Sequence, residues 1–312
     1  MKGFVQSLRR GRRLAKYRAN WTFAVALVLC FFANTSASAA TWSVQTEPAK
    51  LVNGGPFLLR VHIPMKASSL KGTWLGHSVE FSYDAQSHTW FALAGSSFET
   101  APGNYPLELT AERASDAPAD KTVSFRKQLA VGPGKYPKVR VPLGVPGKFT
   151  EPSPEQTKQI ELDQKTKQDY LNRVTPDREW SGPFAPPADA PHSDVFGSQR
   201  IFNGKAQREH QGLDYRVPTG TPVAAMNAGT VLLARFLYFE GNCIFLDHGQ
   251  GLLTVYFHLS ELKVKEGDTV KRGLIMGLSG GTGRATGPHL HVGVRWQGTY
   301  LDPARLLQLA LP

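Results

Sequence analysis

Short β-prone runs, rich in apolar, aromatic and β-branched residues, recur along the chain between residues 41 and 132. Turns that contain Gly, Asn or Pro, such as those at 53–55 and 102–104, separate these runs. The runs cover residues 57–63, 79–83, 89–93, 105–110 and 122–125. Several short strands at this spacing are typical of a β-sandwich, so we predict one over residues 40–132.

The last third of the chain continues the β pattern. Its apolar runs are separated by Gly-rich turns and cover residues 229–235, 243–246, 253–258 and 290–294. Apolar and polar positions alternate in the last of these runs, which favours an antiparallel sheet with one covered face. We therefore predict a C-terminal antiparallel β-sheet domain over residues 191–312.

A connector over residues 133–190 separates the two β segments. Its first part is rich in proline and is expected to be extended. Ser153 then reads as a helix N-cap, with Pro154 at the first helical position and Gln156 at the third. The helix is expected to end near Val174. Its many Lys, Gln, Asp and Glu residues favour a solvated helix, with cover over part of a site groove as the alternative.

The first 39 residues have the composition of a secretory signal peptide. Seven basic residues without an acidic one precede an apolar run at 21–33 and a small-x-small sequence at 37–39. The apolar run is shorter than the roughly 20 residues that cross a bilayer. We therefore predict an exported chain with no stable membrane anchor after cleavage, periplasmic in the first instance. A secreted protein or an uncleaved signal anchor are the alternatives.

Removing this segment changes the charge and cysteine content. The whole chain carries 36 basic and 25 acidic residues, a net charge of +11, but seven of the basic ones lie in the first 39 residues. The remaining charge is about +4, without the concentrated basic patch that a nucleic-acid partner requires. This modest positive charge suits an anionic polymer such as a cell wall. Only Cys243 remains, in an apolar run, and is expected to be a buried core residue.

Candidate chemistry is concentrated in five polar residues of the last third, which are His210, Asp214, His258, His289 and His291. A His-x-x-x-Asp pair and one histidine of a distant His-x-His provide two nitrogens and one oxygen, the three-ligand set of a catalytic zinc. Two histidines are then left for proton chemistry, since no His-Glu-x-x-His helix supplies a glutamate base. Residues i and i+2 of a strand face the same side. His289 is thus expected to project with His291, and Tyr256 with His258.

The sequence around these positions resembles the LytM/lysostaphin-type zinc endopeptidases from about residue 196 to residue 306. The matching stretches include Phe196-Gly197-x-x-Arg200, His210-x-Gly212-x-Asp214, Thr254-x-Tyr256-x-His258-Leu259, Gly267-Asp268-x-Val270 and Gly287-Pro288-His289-Leu290-His291. The resemblance implies that His210, Asp214 and His291 bind one Zn²⁺ per chain. It also implies that His258 and His289 are the catalytic pair, with His289 as the base.

The resemblance further implies a fold and a substrate. The N-terminal segment is similar to the immunoglobulin-like module that precedes some of these peptidases, and the C-terminal segment to their zinc peptidase domain. The family cuts peptide bonds in peptidoglycan, and a periplasmic location favours D-Ala–diaminopimelate cross-links. Two alternatives remain: a non-hydrolytic wall-binding regulator of other hydrolases, and a secreted protease for Gly-rich proteins. The five intact site positions argue against the regulator.

Overall fold

The protein is mostly β, which confirms the predicted fold class. The computed structural model describes residues 41–114, 121–137 and 140–312, so the predicted signal peptide lies outside the described residues. Within these ranges no helix combines the length and the apolar character needed to cross a membrane.

Residues 43–132 form two β-sheets. The strands are β1 (Ser43–Glu47), β2 (Leu51–Val52), β3 (Pro56–His62), β4 (Ala67–Trp74), β5 (His77–Glu80), β6 (Ser82–Asp84), β7 (Thr89–Gly95), β8 (Gly103–Arg113) and β9 (Thr122–Gly132). One sheet has the order β1-β3-β7-β6 and the other β2-β9-β8-β4-β5. Trp74, fully buried, donates from Nε1 to the carbonyl of Gly95 at 2.9 Å and so ties the two sheets together. The buried residues of both sheets share one core, as in a sandwich. Its immunoglobulin-like character stays a prediction.

The connector contains the predicted helix. Its elements are β10 (Arg140–Leu143), a 3-10 turn (Gly147–Phe149) and α1 (Pro154–Leu171). The predicted cap is confirmed, since Ser153 Oγ accepts from the Gln156 backbone N–H at 3.3 Å and Gln156 Oε1 accepts from the Ser153 N–H at 2.9 Å. The helix ends three residues before Val174. Leu171 is buried in an apolar cluster, and the chain beyond it is held against the sheet by a hydrogen bond from Thr175 to the Asp247 carboxylate.

Helix α1 is not solvated on all sides, contrary to the interpretation favoured by its composition. Ile160, Asp163 and Leu171 are buried. The Asp163 carboxylate accepts from the Tyr238 backbone N–H at 2.6 Å. A hydrogen-bonded carboxylate can be buried at little cost, so a polar helix face can pack against the sheet.

The C-terminal segment is built on one large sheet, in which all strand pairs are antiparallel, as predicted. Its elements, with those of two smaller sheets, are β11 (His192–Asp194), β12 (Gln199–Phe202), β13 (Lys205–Glu209), β14 (Leu213–Tyr215), β15 (Pro222–Ala224), β16 (Gly229–Leu237), β17 (Gly241–Asp247), β18 (Leu252–Leu259), β19 (Glu261–Leu262), β20 (Thr269–Val270), β21 (Ile275–Leu278), β22 (Leu290–Trp296), β23 (Thr299–Leu301) and a short helix α2 (Pro303–Leu306). The large sheet has the order β11-β14-β22-β18-β17-β16-β20, with β23 on β22.

Cys243 lies on β17 and is buried, as predicted. Burial raises the pKa of its thiol well above the usual value, because the thiolate is poorly solvated there. The reactive form of a cysteine is the thiolate. Cys243 is therefore a core residue rather than a nucleophile.

His248 is a second buried histidine, outside the group of five. Its Nδ1–H donates to the carbonyl of Ala228 at 2.6 Å, and Nε2 lies 2.8 Å from the Thr254 hydroxyl, which is itself 3.0 Å from the hydroxyl of Tyr256. Burial lowers the pKa of His248 to about 4, because the cation would lose its hydration. The ring is thus a neutral member of the core at pH 7.

We expect His248 to make the protein less stable in acid. Above pH 6.5 the ring of His248 is neutral in both the folded and the unfolded chain. Between pH 6.5 and pH 4 only the unfolded chain binds a proton on this ring. Stability therefore falls with pH in that window, by about 2 kcal/mol from pH 7 to pH 5. Urea unfolding at the two pH values measures this loss. His248→Gln should reduce the difference by that amount, and an unchanged pH dependence in the variant would contradict the assignment.

Candidate functional site

Strand register brings two of the predicted metal ligands together. Asp214 on β14 pairs directly with His291 on β22, and His291 pairs on its other side with Phe257 on β18. Side chains of directly paired residues in neighbouring antiparallel strands project to the same face. The His291 ring stacks on the Phe257 ring, with centroids 5.0 Å apart and planes 11° from parallel. His291 is thereby held between an aromatic ring and a carboxylate.

His210 reaches the same point from the loop before β14. Its backbone is held on both sides, because Gly197 N–H donates to the His210 carbonyl at 2.8 Å and His210 N–H donates to the Ser198 carbonyl at 2.7 Å. The His210 Nδ1–H donates to the Val195 carbonyl at 3.1 Å. This contact fixes the tautomer, so the lone pair of Nε2 points toward Asp214 and His291.

The three side chains fit a metal ion. His210 Nε2 lies 2.9 Å from His291 Nδ1 and 3.1 Å from Asp214 Oδ1, and His291 Nδ1 lies 2.8 Å from the same oxygen. Ligand atoms bound to one tetrahedral zinc at about 2.0–2.1 Å are roughly 3.3 Å apart, so a small outward movement of the side chains accommodates the ion. All three residues are buried. Two imidazole nitrogens and a carboxylate oxygen are the donor set that zinc takes.

Gly212 is required by this packing. A Cβ at this position would lie 2.5 Å from Cε1 and 2.6 Å from Nε2 of His291, and 2.5 Å from the carbonyl oxygen of Val292. A glycine at this position therefore lets the His291 ring approach the backbone.

The charge balance of this cluster is set by burial and by contacts within it. Burial alone would raise the pKa of Asp214, but the neighbouring His210 and the hydrogen bonds with His210 and His291 outweigh it and hold the pKa well below the usual range. Burial lowers the pKa of His291 to about 4, against the opposing effect of Asp214. At pH 7 Asp214 is therefore an anionic carboxylate and His291 a neutral imidazole, the protonation states in which these two side chains bind a metal.

The remaining pair, His258 and His289, lies beside the cluster. Their ring centroids are 4.7 Å apart. His258 Nδ1–H donates to the Thr282 carbonyl and His289 Nδ1–H to the Gly287 carbonyl, both at 2.8 Å, so each Nε2 keeps a lone pair. His289 Nε2 is 3.9 Å from Asp214 Oδ2. The predicted projection of His289 with His291 is thus confirmed.

The predicted pairing of Tyr256 with His258 on one face is wrong. Tyr256 is buried in the core, where its hydroxyl accepts from the Met226 N–H at 3.0 Å. His258 has a positive φ of 64°, and the register of β17 and β18 shifts at this point, which marks a β-bulge. The extra residue breaks the alternation. His258 therefore turns toward the site together with its neighbour Phe257.

Burial also keeps His258 neutral. It holds the pKa of His258 well below the usual value, and the nearby imidazoles of His289 and His291 further disfavour a cation there. At pH 7 the ring is a neutral hydrogen-bond acceptor at Nε2.

Two further residues, Arg200 and Asp194, contact the predicted ligands. Arg200 Nε donates to Asp194 Oδ2 at 2.7 Å, and the same guanidinium forms an ion pair with Asp214. Asp194 Oδ2 is in turn 3.3 Å from Nδ1 of His210. For Arg200, the only signal in the sequence was its place in the Phe-Gly-x-x-Arg stretch. Nothing in the sequence pointed to Asp194.

We expect Arg200→Gln to weaken zinc binding by about 10- to 100-fold, the usual effect of losing a partner of a metal ligand. The guanidinium orients the Asp214 carboxylate, while Asp194 offsets its positive charge. Competition with a zinc-chelating dye measures the affinity. Arg208→Gln is the matched control, because Arg208 is exposed at the rim of the same cleft and contacts none of the ligands. Equal affinities for the two variants would show that Arg200 has no orienting role.

Two clefts border the site. One is lined by His210, His258 and His291, and the other by Asp214 and His289. Arg200, Phe202 and Arg284 line both clefts. Helix α1 reaches the first cleft, since Lys167 lines it and pairs with Glu240 at 2.7 Å.

The sequence around the site matches a family of known proteins. Residues 208–303 match the model of peptidase family M23. Over 82 residues the chain is 48% identical to the peptidoglycan DD-endopeptidase ShyA of Vibrio cholerae, and over 112 residues 41% identical to ShyC of the same organism. These matches take in 26% and 36% of this chain. They span only 19% and 26% of the relatives' own lengths.

A solved structure gives the longest of these matches. A protein described as a peptidase M23 from Pseudomonas aeruginosa superimposes with a TM-score of 0.63 at 30% sequence identity, over 83% of this chain and 95% of that one. The similarity extends beyond the site, because this coverage exceeds the share of the chain that the family model matches. With a sequence match over the site and a solved relative matched over nearly its whole length, the chain belongs to peptidase family M23.

Proposed function

We propose that the chain is an exported zinc endopeptidase that hydrolyses amide bonds in peptidoglycan peptides, with the D-Ala–diaminopimelate cross-link as its bond. The observation that carries this proposal is the convergence of His210 Nε2, Asp214 Oδ1 and His291 Nδ1 within 3.1 Å of one another, beside two further imidazoles. A three-ligand site that leaves a position open is the arrangement of a hydrolytic zinc rather than a structural one.

His210, Asp214 and His291 would hold the ion. When bound there, zinc supplies a Lewis acid that polarises the scissile carbonyl and makes a water molecule acidic enough to lose its proton near pH 7. Val195, through its carbonyl, and Arg200, through its guanidinium, keep His210 and Asp214 in the orientation that this requires.

The proton chemistry falls to His258 and His289. His289 is the proposed base, because its ring is the less buried of the two and its Nε2 faces the Asp214 carboxylate at 3.9 Å. An imidazole so placed can take a proton at Nε2 while Nδ1 stays bonded to the Gly287 carbonyl. His258, neutral and fixed by Thr282, can orient a hydrogen of the attacking water or of the leaving amine at its own Nε2.

Two observations support the proposed substrate and compartment. The names of similar proteins include peptidoglycan DD-endopeptidases of Vibrio cholerae and a DD-carboxypeptidase/endopeptidase of Neisseria meningitidis. The signal-like first 39 residues direct the chain to the compartment in which such a polymer lies. Together they support action in the periplasm.

Digestion of purified sacculi tests this function. The purified chain should convert cross-linked muropeptides to monomers, detected by mass spectrometry, and a zinc chelator should stop the conversion. Casein and a glycine peptide run in parallel would reveal a protease for proteins. Stoichiometric zinc binding without loss of cross-linked species would instead identify a non-hydrolytic wall protein and overturn the proposal.

A further inference from the structure

Arg284 packs against two aromatic side chains next to the site. Its guanidinium carbon lies 5.1 Å from the ring centroid of Phe202 and 4.5 Å from that of Phe239. Its backbone N–H donates to the carbonyl of Phe239 at 2.8 Å. A guanidinium stacked on aromatic rings keeps its N–H groups directed outward from its edge. The side chain is therefore held in place before any ligand arrives.

The charge of Arg284 has no counter-ion among the described residues. The guanidinium makes no ion pair with an acidic side chain there, and no oxygen accepts a hydrogen bond from its side chain. Glu240 contributes negative charge from a distance, but Lys167 holds that carboxylate at 2.7 Å. Burial lowers the pKa of Arg284, and the nearby Arg200 adds to this effect. Arg284 is partly buried, so its cation is less well hydrated than a free one, and an anion bound there would offset that loss.

The position of Arg284 puts such an anion beside the reacting groups. Arg284 lines the cleft that contains His258 and also the cleft that contains His289. It stands on the same loop as His289, five residues earlier in the chain. An anion bound to Arg284 therefore belongs to the part of the substrate that flanks the scissile bond.

We propose that Arg284 binds the substrate carboxylate carried by the carbon next to the scissile amide nitrogen, and so selects the bond that is cut. This inference rests on the proposed function. In the D-Ala–diaminopimelate cross-link, the diaminopimelate carbon attached to the amide nitrogen also bears a free carboxylate. A glycine–glycine bond within a bridge has no carboxylate there. Planar, two-pronged pairing of guanidinium with carboxylate is the recognition that arginine performs best.

Two cross-linked muropeptide dimers that differ in one group test the proposal. In one the diaminopimelate carboxylate next to the linkage is free, and in the other it is a carboxamide. We expect kcat/KM of the wild-type protein to be about 10- to 100-fold higher for the carboxylate, the range for a hydrogen bond to a charged group. Arg284→Gln should bring the two values close together, mainly through the carboxylate substrate, with zinc content unchanged.

Two further variants separate recognition from structure. Arg284→Lys keeps the charge and most of the packing on Phe202 and Phe239 but loses the two-pronged geometry, so its preference should be intermediate. Arg208→Gln removes the same charge from the exposed rim of the cleft and should keep the wild-type preference.

The outcomes distinguish this inference from the function on which it rests. Equal cleavage of both dimers by the wild-type protein, or a preference that survives in Arg284→Gln, would overturn the role of Arg284 and leave the endopeptidase in place. If the wild-type protein cleaves neither dimer, the proposed function fails and the carboxylate subsite fails with it. Zinc content and thermal unfolding of each variant show that it is folded.

Discussion

Replacing His289 with alanine is expected to lower kcat by about 10²- to 10⁴-fold while the protein keeps its zinc. His289 has no contact below 3.9 Å with Asp214, whereas the predicted ligand atoms lie within 3.1 Å of one another. Its ring is only partly buried and is fixed through Nδ1 to the Gly287 carbonyl, so removing it costs little packing. The loss should fall on proton transfer.

Cleavage of a cross-linked muropeptide and zinc content, measured on the same samples, test this separation of roles. His192→Ala is the matched control, because His192 is an exposed histidine of the same sheet that contacts the ring of Tyr215 and no member of the site. The control should keep both activity and zinc. Loss of zinc from His289→Ala would make His289 a ligand and would contradict the assignment, and near wild-type turnover would remove it from the chemistry.

The direction of a site side chain could be predicted from the sequence where the residue lies in a regular strand. His291 and Asp214 face each other because β22 and β14 pair without interruption, and two-residue alternation describes such strands well. Alternation fails at His258, where a β-bulge places a non-glycine residue at positive φ. A bulge depends on how two distant strands pair, and the sequence of one strand does not contain that information.

The bulge is fixed by a loop far along the chain. Thr282 accepts from His258 through its carbonyl, and its hydroxyl donates to the Leu259 carbonyl at 2.7 Å. This loop meets the β16–β17 turn so closely that a Cβ on Gly283 would lie 2.3 Å from the backbone nitrogen of Gly241. Gly283 itself has a positive φ of 72°. The two glycines therefore permit the close approach in which Thr282 contacts His258 and Leu259.

The roles of the charged residues around the site could not be predicted from the sequence either. Arg284 and Lys167 look like ordinary surface residues, because a charged residue is usually solvated, and Arg200 was marked only by its place in the Phe-Gly-x-x-Arg stretch. Their roles come from partners far along the chain. Arg284 packs on Phe202 and Phe239, which lie about 82 and 45 positions earlier in the chain. The sequence could thus indicate the candidate metal ligands but not the side chains that pack around them.

Replacing His291 with phenylalanine is expected to abolish zinc retention and activity together. Phenylalanine keeps a ring that can stack on Phe257 but has no lone pair to offer the metal. The loss of affinity should exceed the roughly 100-fold limit expected for a supporting residue such as Arg200, since one of three ligand atoms is gone. Asp214 also loses a 2.8 Å partner, so the variant should be less stable than the metal-free wild-type protein by about 1–3 kcal/mol.

Thermal unfolding with and without a chelator measures both effects of His291→Phe. A ligand that binds only the folded state stabilises it, so chelation should lower the Tm of the wild-type protein and leave that of the variant unchanged. His289→Ala serves as the comparison, because its Tm should respond to the chelator as the wild-type does. A variant that still binds one zinc per chain, or a wild-type Tm that is indifferent to the chelator, would contradict the assignment of His291 as a ligand. The quantity compared is the change in Tm that the chelator causes in each protein. The destabilisation caused by the lost Asp214 contact is present with and without chelator, so it does not affect this change.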